Sequence, residues 1–391
     1  MKIAFAYAFD DANWLGGRNY YSSLLSAIRT VAANDIEPVL VTGTTTQTTL
    51  PNQFPEVEVV RTRLLDRRSF PWALRQIPRT LSGWTTDPTF EALLRRHGVD
   101  LLSHAWGLGR RSDVKSLGWV PDFQFMHFPQ FWTARQLRGT HRLHESVCRS
   151  ANALILSSES ARSDLRAFAP WCERPTHILH FVPLPISIDS LPPATRVLDH
   201  YQLPPTYFHL PNQFWAHKNH RVVVDALAIA KHRGIDMVVA CTGQTIDARR
   251  PGFFDELMAH CRRVGVEDRF RVLGMVPYAD VQALMRHAHA VLNPSLFEGW
   301  STTVEEAKSL GKRVLLSDIP VHREQAPRGG RYFDPHRPEE LAATMADSLT
   351  TPWREFDAAQ VASEHLRNLD AFGRAYIAIA RGVVTPGKHV G

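Results

Sequence analysis

Asn293-Pro294-Ser295-Leu296-Phe297-Glu298-Gly299-Trp300-Ser301-Thr302-Thr303-Val304-Glu305-Glu306-Ala307-Lys308-Ser309-Leu310-Gly311-Lys312-Arg313-Val314 follows the apolar run at 290–292. Pro294 and Gly299 interrupt any regular pattern, so the strand ends in a loop. A helix then begins near Ser301 or Thr302, Gly311 closes it, and a second apolar run follows at 313–317. Strand, loop, helix and strand in that order is the unit from which parallel sheets are built. The helix start presents free N–H groups and the positive end of its dipole, a ready site for an anion. Glu298 falls in the loop and Glu306 more than a turn inside the helix, so the two carboxylates reach different parts of one ligand. A charged hydrogen bond from a sugar hydroxyl to either is worth roughly 1.5–3 kcal/mol. Two capping boxes also fit, Thr302-x-x-Glu305 and Thr303-x-x-Glu306, and would make the acids structural.

Outward from this segment the same alternation repeats. In the first half, strands are predicted at 2–7, 37–41, 101–103, 122–126 and 153–157, with helical spacing at 19–30 and 158–168. A second series has strands at 207–210, 237–242, 270–273, 290–292 and 313–317, with helices at 219–233, 254–264, 279–287 and 303–310. Between the two series the chain is dense in proline, through Phe181-Val182-Pro183-Leu184-Pro185, Leu191-Pro192-Pro193 and Leu203-Pro204-Pro205. Such a stretch reads as a linker. The expectation is an α/β protein of two doubly wound, Rossmann-like domains facing a central cleft, where strand ends place ligands. The domains are 1–190 and 207–365, joined by a linker at 191–206, with a helix at 366–391 returning toward the first.

The chain has 391 residues, 44% of them hydrophobic and 21% charged, which excludes wholesale disorder. No apolar run is long enough to cross a membrane, and the N-terminal run meets its acids too early for a signal peptide. Cys148, Cys172, Cys241 and Cys261 lack zinc or disulfide spacing and suit free thiols in a reducing cytoplasm. The 45 basic against 39 acidic residues give +6, which favours anionic partners without naming them. No zinc-finger or RNA-recognition signature points to nucleic acid. Neither Asp-x-Asp nor G-x-S-x-G occurs, the latter arguing against an α/β-hydrolase.

The segment from Glu298 to Glu306 resembles glycosyltransferase family 4, retaining, nucleotide-sugar-dependent enzymes of the GT-B fold, whose paired glutamates have seven residues between them. The family usually reads Glu-Gly-Phe-Gly; here Glu298-Gly299-Trp300-Ser301 keeps the aromatic and adds a side chain at Ser301. The resemblance implies that Glu306 binds the nucleotide ribose and that Glu298 lies beside the transferred sugar. Gly299, Trp300, Ser301 and Thr302 belong to the same donor-binding segment. A second match is Leu210-Pro211-Asn212-Gln213-Phe214-Trp215-Ala216-His217-Lys218-Asn219. Lys218 matches the lysine that grips the diphosphate, whereas Gln213 replaces the family's arginine; the other reading of Lys218 is a solvated lysine at a helix start. The stretches Cys241-Thr242-Gly243-Gln244 and Leu273-Gly274-Met275-Val276-Pro277 resemble the family's nucleotide-pocket borders, with Gly243 and Val276 the donor-side residues.

In the first half, Trp14-Leu15-Gly16-Gly17-Arg18-Asn19 resembles the family's Gly-Gly loop before a helix, with Gly16 and Gly17 facing donor phosphate; a plain turn is the alternative. His127, in Met126-His127-Phe128-Pro129 at a strand end, matches the histidine near the transferred sugar. Ser157-Ser158-Glu159-Ser160 matches a Ser-Glu helix start, where capping is equally good an explanation.

What the resemblance implies is a metal-independent hexosyltransferase without a cofactor, taking a GDP- or UDP-hexose as donor and a saccharide or lipid-linked saccharide as acceptor. Surface polysaccharide or O-antigen synthesis at the inner face of the membrane would suit it, with the first domain on the acceptor side. His127, Lys218 and Glu298 are its catalytic candidates. The competing readings are a nucleotide-sugar hydrolase or epimerase of the same fold, and a non-catalytic nucleotide-sugar-binding protein. The basic stretch from Arg61 through Arg67, Arg68, Phe70 and Trp72 to Arg75 and Arg79 suits docking on anionic lipid, or equally a solvated loop packing Phe70 and Trp72 inward.

Overall fold

The computed structural model describes residues 1–11, 15–32, 35–352 and 356–385. The chain divides into two units, Met1–Leu184 with Arg367–Gly391, and Pro185–Leu366.

The first unit is built on seven parallel strands: β1 Lys2–Tyr7, β2 Glu37–Thr42, β3 Glu58–Arg61, β4 Leu101–Ala105, β5 Lys115–Val120, β6 Ala153–Leu156 and β7 Thr176–Ile178. Their order is β3-β2-β1-β4-β5-β6-β7. The second has six: β8 Phe208–Leu210, β9 Val239–Thr242, β10 Phe270–Gly274, β11 Ala290–Asn293, β12 Val314–Ser317 and β13 Arg331–Phe333. Their order is β10-β9-β8-β11-β12-β13, again all parallel. The inner strands are buried along their whole length, as in β6, β9, β11 and β12. A parallel sheet covered on both faces explains why they read as continuous apolar runs. In both sheets the winding reverses beside the first strand, between β1 and β4 and between β8 and β11. Such reversals leave a crevice at the carboxyl ends of the strands.

The predicted strand at 122–126 is not one. The strand is β5, one segment earlier, and Gln124–His127 forms a helical turn instead. Pro121 separates the two, and Asp122 Oδ1 accepts the Gln124 N–H at 2.9 Å to start the turn. Phe123 and Phe125 are buried among the rings of His144 and Phe168. Strand β5 is masked in the sequence by Gly118, which is required there: a Cβ would lie 2.6 Å from Val147 Cγ1. The strands absent from the expectation, β3, β7 and β13, are all sheet edges of three or four residues.

Gly16 and Gly17 also differ from expectation. They lie in the first turn of the helix Leu15–Ala32 rather than in a loop before it, while Trp14 falls outside the described residues. Early helical positions lack intrahelical N–H partners anyway, so glycine is tolerated there. The helix Ala358–Val384 begins in the second unit and continues in the first, where Tyr376 is fully buried and donates to Ser103 Oγ at 2.8 Å. Gly373 lets this helix meet the helix Leu15–Ala32, since a Cβ would stand 2.9 Å from the Ala27 carbonyl oxygen. All four cysteines are free thiols. Among the described residues no helix is long and apolar enough to cross a membrane.

Candidate functional site

The switch point of the second sheet is bounded by the loop after β8 and the loop after β11. The first loop ends in the helical turn Ala216–Lys218, and Asn219 adopts a left-handed conformation (φ 57°) before the helix His220–His232. Asparagine tolerates that conformation. Its side-chain amide donates to the carbonyls of Pro294 at 3.1 Å and Pro335 at 2.8 Å, fixing the turn against the neighbouring loops.

The turn delivers Lys218, whose Nζ lies 2.6 Å from Glu298 Oε1. Both side chains are largely buried, 13% and 9% exposed. Burial pushes the Glu298 carboxyl up, but Lys218 and the Ser295 hydroxyl outweigh it and hold the group below the usual glutamate range. Ser295 Oγ lies 2.6 Å from Glu298 Oε1 and 2.8 Å from Asn293 Oδ1. Asn293 in turn receives Asn212 Nδ2 at 3.1 Å and donates to Ser301 Oγ at 2.6 Å. One continuous polar network therefore ties the ends of β8 and β11 to the start of the next helix. Sequence reasoning did not assign Asn212, Asn293 or Ser295. Each is polar at the end of an apolar run, which was the available signal.

The helix Thr302–Ser309 is capped by Ser301, whose Oγ accepts the Val304 N–H at 3.3 Å. Neither predicted capping box forms. Glu305 is committed to Lys308 at 3.0 Å and to Gln325 Nε2 at 2.9 Å. Glu306 is therefore not a cap: it accepts the Tyr278 hydroxyl at 2.6 Å. Burial raises its carboxyl to about 7, against the opposing effect of that bond. Tyr278 stands one residue beyond the stretch singled out after β10. Val276 is half-buried against the cluster of Tyr207, Ala283 and Leu284.

Gly243 follows β9 with φ 146°, and a Cβ there would lie 2.4 Å from the Asn212 carbonyl oxygen. Glycine is obligatory at this approach of two strand-end loops. The next residue donates its N–H to Gln213 Oε1 at 2.7 Å, so the Gln213 carboxamide braces the two loops. His217 is buried and kept neutral by burial, with Lys218 and Arg249 nearby adding to the effect. Arg249 stacks over Trp215 at 4.9 Å and bonds Asp247. His322 is also kept neutral by burial, although the charge of Glu298 opposes this, and its Nδ1 lies 2.9 Å from the Ser317 carbonyl oxygen.

The second unit thus brings together Gln213, Lys218, Gly243, Glu298 and Ser301, with Gly299 and Trp300 in the same loop and Thr302 exposed at the helix start. Glu306 is placed on that helix and bonded to Tyr278. Gly16, Gly17 and His127 belong to the first unit. His127 ends a helical turn rather than a strand, is 44% exposed, and lies 2.9 Å from Asp164 Oδ1. Ser158 caps the helix Glu159–Phe168 by accepting the Ala161 N–H at 3.0 Å.

Chemically, the second unit offers a partly buried cation, a helix start able to face an anion, and two carboxylates in different protonation environments. Residues 204–365 match the family described as Glycosyl transferases group 1 and carry a domain of that kind. A 95-residue segment is 32% identical to the O-antigen chain mannosyltransferase B of Escherichia coli, covering 24% of this chain and 25% of that protein. Among solved structures, a glycosyltransferase from Rickettsia africae ESF-5 superposes with a TM-score of 0.66 at 13% identity, over 98% of each chain. Anabaena HepE in complex with UDP gives 0.65 at 16% identity, over 97% of this chain and 99% of that one. At these identities the likeness establishes the fold, GT-B.

Proposed function

We propose that the chain is a retaining hexosyltransferase, moving a sugar from a nucleoside-diphosphate donor to a saccharide or lipid-linked saccharide in surface polysaccharide or O-antigen synthesis. The observation that carries this reading is the Lys218–Glu298 pair at the β8/β11 switch point, inside the matched domain. The segment shared with an O-antigen mannosyltransferase supports the acceptor class, and the UDP complex of the structural relative supports a nucleoside diphosphate.

Breaking a glycosyl–phosphate bond develops negative charge on the departing diphosphate and positive charge on the sugar. Lys218 has three N–H donors, so it can hold Glu298 and a phosphate oxygen together. The start of the helix Thr302–Ser309 adds a second positive end. Glu298, kept ionised by Lys218, accepts sugar hydroxyls and stabilises developing cationic character. Glu306 accepts the ribose hydroxyls. If the acceptor attacks on the face the diphosphate leaves, a phosphate oxygen takes its proton, configuration is retained, and no protein base is required. His127, Gly16 and Gly17 hold the roles implied for the sugar and the donor phosphate within this reading.

Thermal-shift measurement against UDP, GDP and ADP tests the donor class, because a ligand binding only the native state raises stability. One of UDP or GDP is expected to stabilise, and the matching nucleotide hexose to be turned over with the sugar on an acceptor. Stabilisation by none of the three would overturn the reading. Release of free sugar alone would turn it to hydrolysis.

A further inference from the structure

The helix Phe70–Leu81 is inverted relative to an ordinary surface helix. Phe70, Leu74, Ile77 and Leu81 recur at helical spacing along one face and are 76%, 47%, 55% and 84% exposed. Facing inward instead are Arg75 and Arg79, 3% and 7% exposed. Arg75 grips the fully buried Asp87 through Nε at 3.0 Å and Nη2 at 2.7 Å, and Arg79 Nε adds a contact at 3.3 Å. Both guanidinium groups stack on aromatic rings, Arg75 over Trp106 at 4.5 Å and Arg79 over Trp84 at 4.6 Å. An ion cluster of this kind fixes the rotation of the helix about its axis. The apolar stripe is therefore held outward by structure rather than left over from poor packing.

The chain leading into the stripe is cationic. Arg61, Arg63, Arg67 and Arg68 are exposed on the chain leading into the helix. The single acid between residues 61 and 86 is Asp66, buried and bonded to the hydroxyls of Thr44 and Thr45. An exposed apolar stripe led into by arginines that form no ion pair among the described residues matches a membrane surface carrying negative headgroups. A second copy of the chain fits less well, because a two-fold contact through the stripe brings two arginine clusters into one interface. We propose that the helix Phe70–Leu81 and Arg61, Arg63, Arg67 and Arg68 form a docking surface for an anionic lipid bilayer. The apolar stripe enters the headgroup boundary and the arginines meet the lipid phosphates. The arrangement departs from the simplest expectation for this segment, in which every arginine faces lipid: Arg75 and Arg79 are structural.

Co-sedimentation of the full chain with vesicles tests this, using phosphatidylcholine alone and phosphatidylcholine mixed with phosphatidylglycerol. Binding to the mixed vesicles only, weakened by salt, is expected. Phe70→Ser with Leu81→Ser, and separately Arg67→Glu with Arg68→Glu, should each lower partitioning by about tenfold or more. Both pairs are exposed, so circular dichroism and the thermal shift produced by nucleoside diphosphate should stay as in the wild type. That separates failure here from failure of the donor-site reading. Equal binding to both vesicle types, no binding, or wild-type partitioning in either variant overturns the proposal. So does a self-association in light scattering that the Phe70/Leu81 variant abolishes, which would assign the stripe to a second copy.

Discussion

Lys218 Nζ lies 2.6 Å from Glu298 Oε1, joining the loop after β8 to the loop after β11. In the proposed reaction the pair is both structural and chemical. Lys218→Met leaves a buried carboxylate without its cation, which is expected to cost about 3 kcal/mol of stability and to lower transfer by at least about 10². Adding Glu298→Gln should recover much of the stability and none of the activity. The Glu298 carboxyl is depressed below its ordinary 4.5, so its stabilisation is present above that pH and lost as pH falls through the lower folded value. In the Lys218 variant burial acts on Glu298 without its cation, so the fall in stability toward acid should disappear and be replaced by a fall as pH rises. Urea unfolding across pH and a transfer assay check both parts; an active double variant would sink the assignment.

Glu306 has the opposite linkage. Its carboxyl is raised from 4.5 to about 7, so it weakens the fold as pH rises through that interval. Ribose hydroxyls bond an ionised carboxylate more strongly than a protonated one. Nucleoside diphosphate affinity should accordingly increase as pH passes about 7, and Glu306→Gln should flatten the profile at a cost of about 1.5–3 kcal/mol in binding above it. Tyr278→Phe, which removes the bond holding the group down, should move the midpoint upward. Calorimetric titration from acidic to alkaline pH reads all three, and a wild-type profile without slope would count against the ribose role.

Gly243→Ala is expected to be severe although the change is one methyl group. The residue holds φ 146°, and the new Cβ would meet the Asn212 carbonyl oxygen at 2.4 Å. Relief requires moving the loop that carries Gln213, so stability should fall by about 2–4 kcal/mol. Nucleotide affinity should fall with it. Thermal unfolding within half that loss would show that the two loops are not tightly fixed.

The segment after β11 was legible because every signal in it is local. An apolar run ends at Asn293, Pro294 and Gly299 break the pattern, and a hydroxyl residue starts the helix. The partnership of Asn212 with Asn293 was not legible, because it depends on β8 and β11 being neighbours across 81 positions. Edge strands such as β13 were missed for a different reason: they are short and partly polar, and their pairing is decided by the strand beside them. Between residues 61 and 79 the sequence showed interleaved basic and apolar residues, but neither the helix Phe70–Leu81 nor which of its faces points inward. Asp87, twelve residues beyond Arg75, decides that.

Gln213 stands where the resembled family places a diphosphate-binding arginine, and its oxygen is already engaged by the Gln244 N–H at 2.7 Å. Arg249 brings a second cation near His217, but Asp247 compensates that charge at 3.4 Å. Gln213 thus leaves Lys218 as the charged side chain of the segment 210–219, where the resembled family has two cations. Gln213→Arg gives up a loop bond worth about 1 kcal/mol and adds a charge-assisted bond to phosphate worth roughly 1.5–3 kcal/mol. Net tightening of nucleoside diphosphate binding is expected, by about twofold to thirtyfold, with a modest loss of thermal stability in the unliganded protein. If Arg249 already reached the phosphate, the new arginine would crowd it and binding would weaken by like-charge repulsion. The two outcomes differ in sign, so one calorimetric titration of the Gln213→Arg variant decides whether Lys218 acts as the principal cation on the diphosphate.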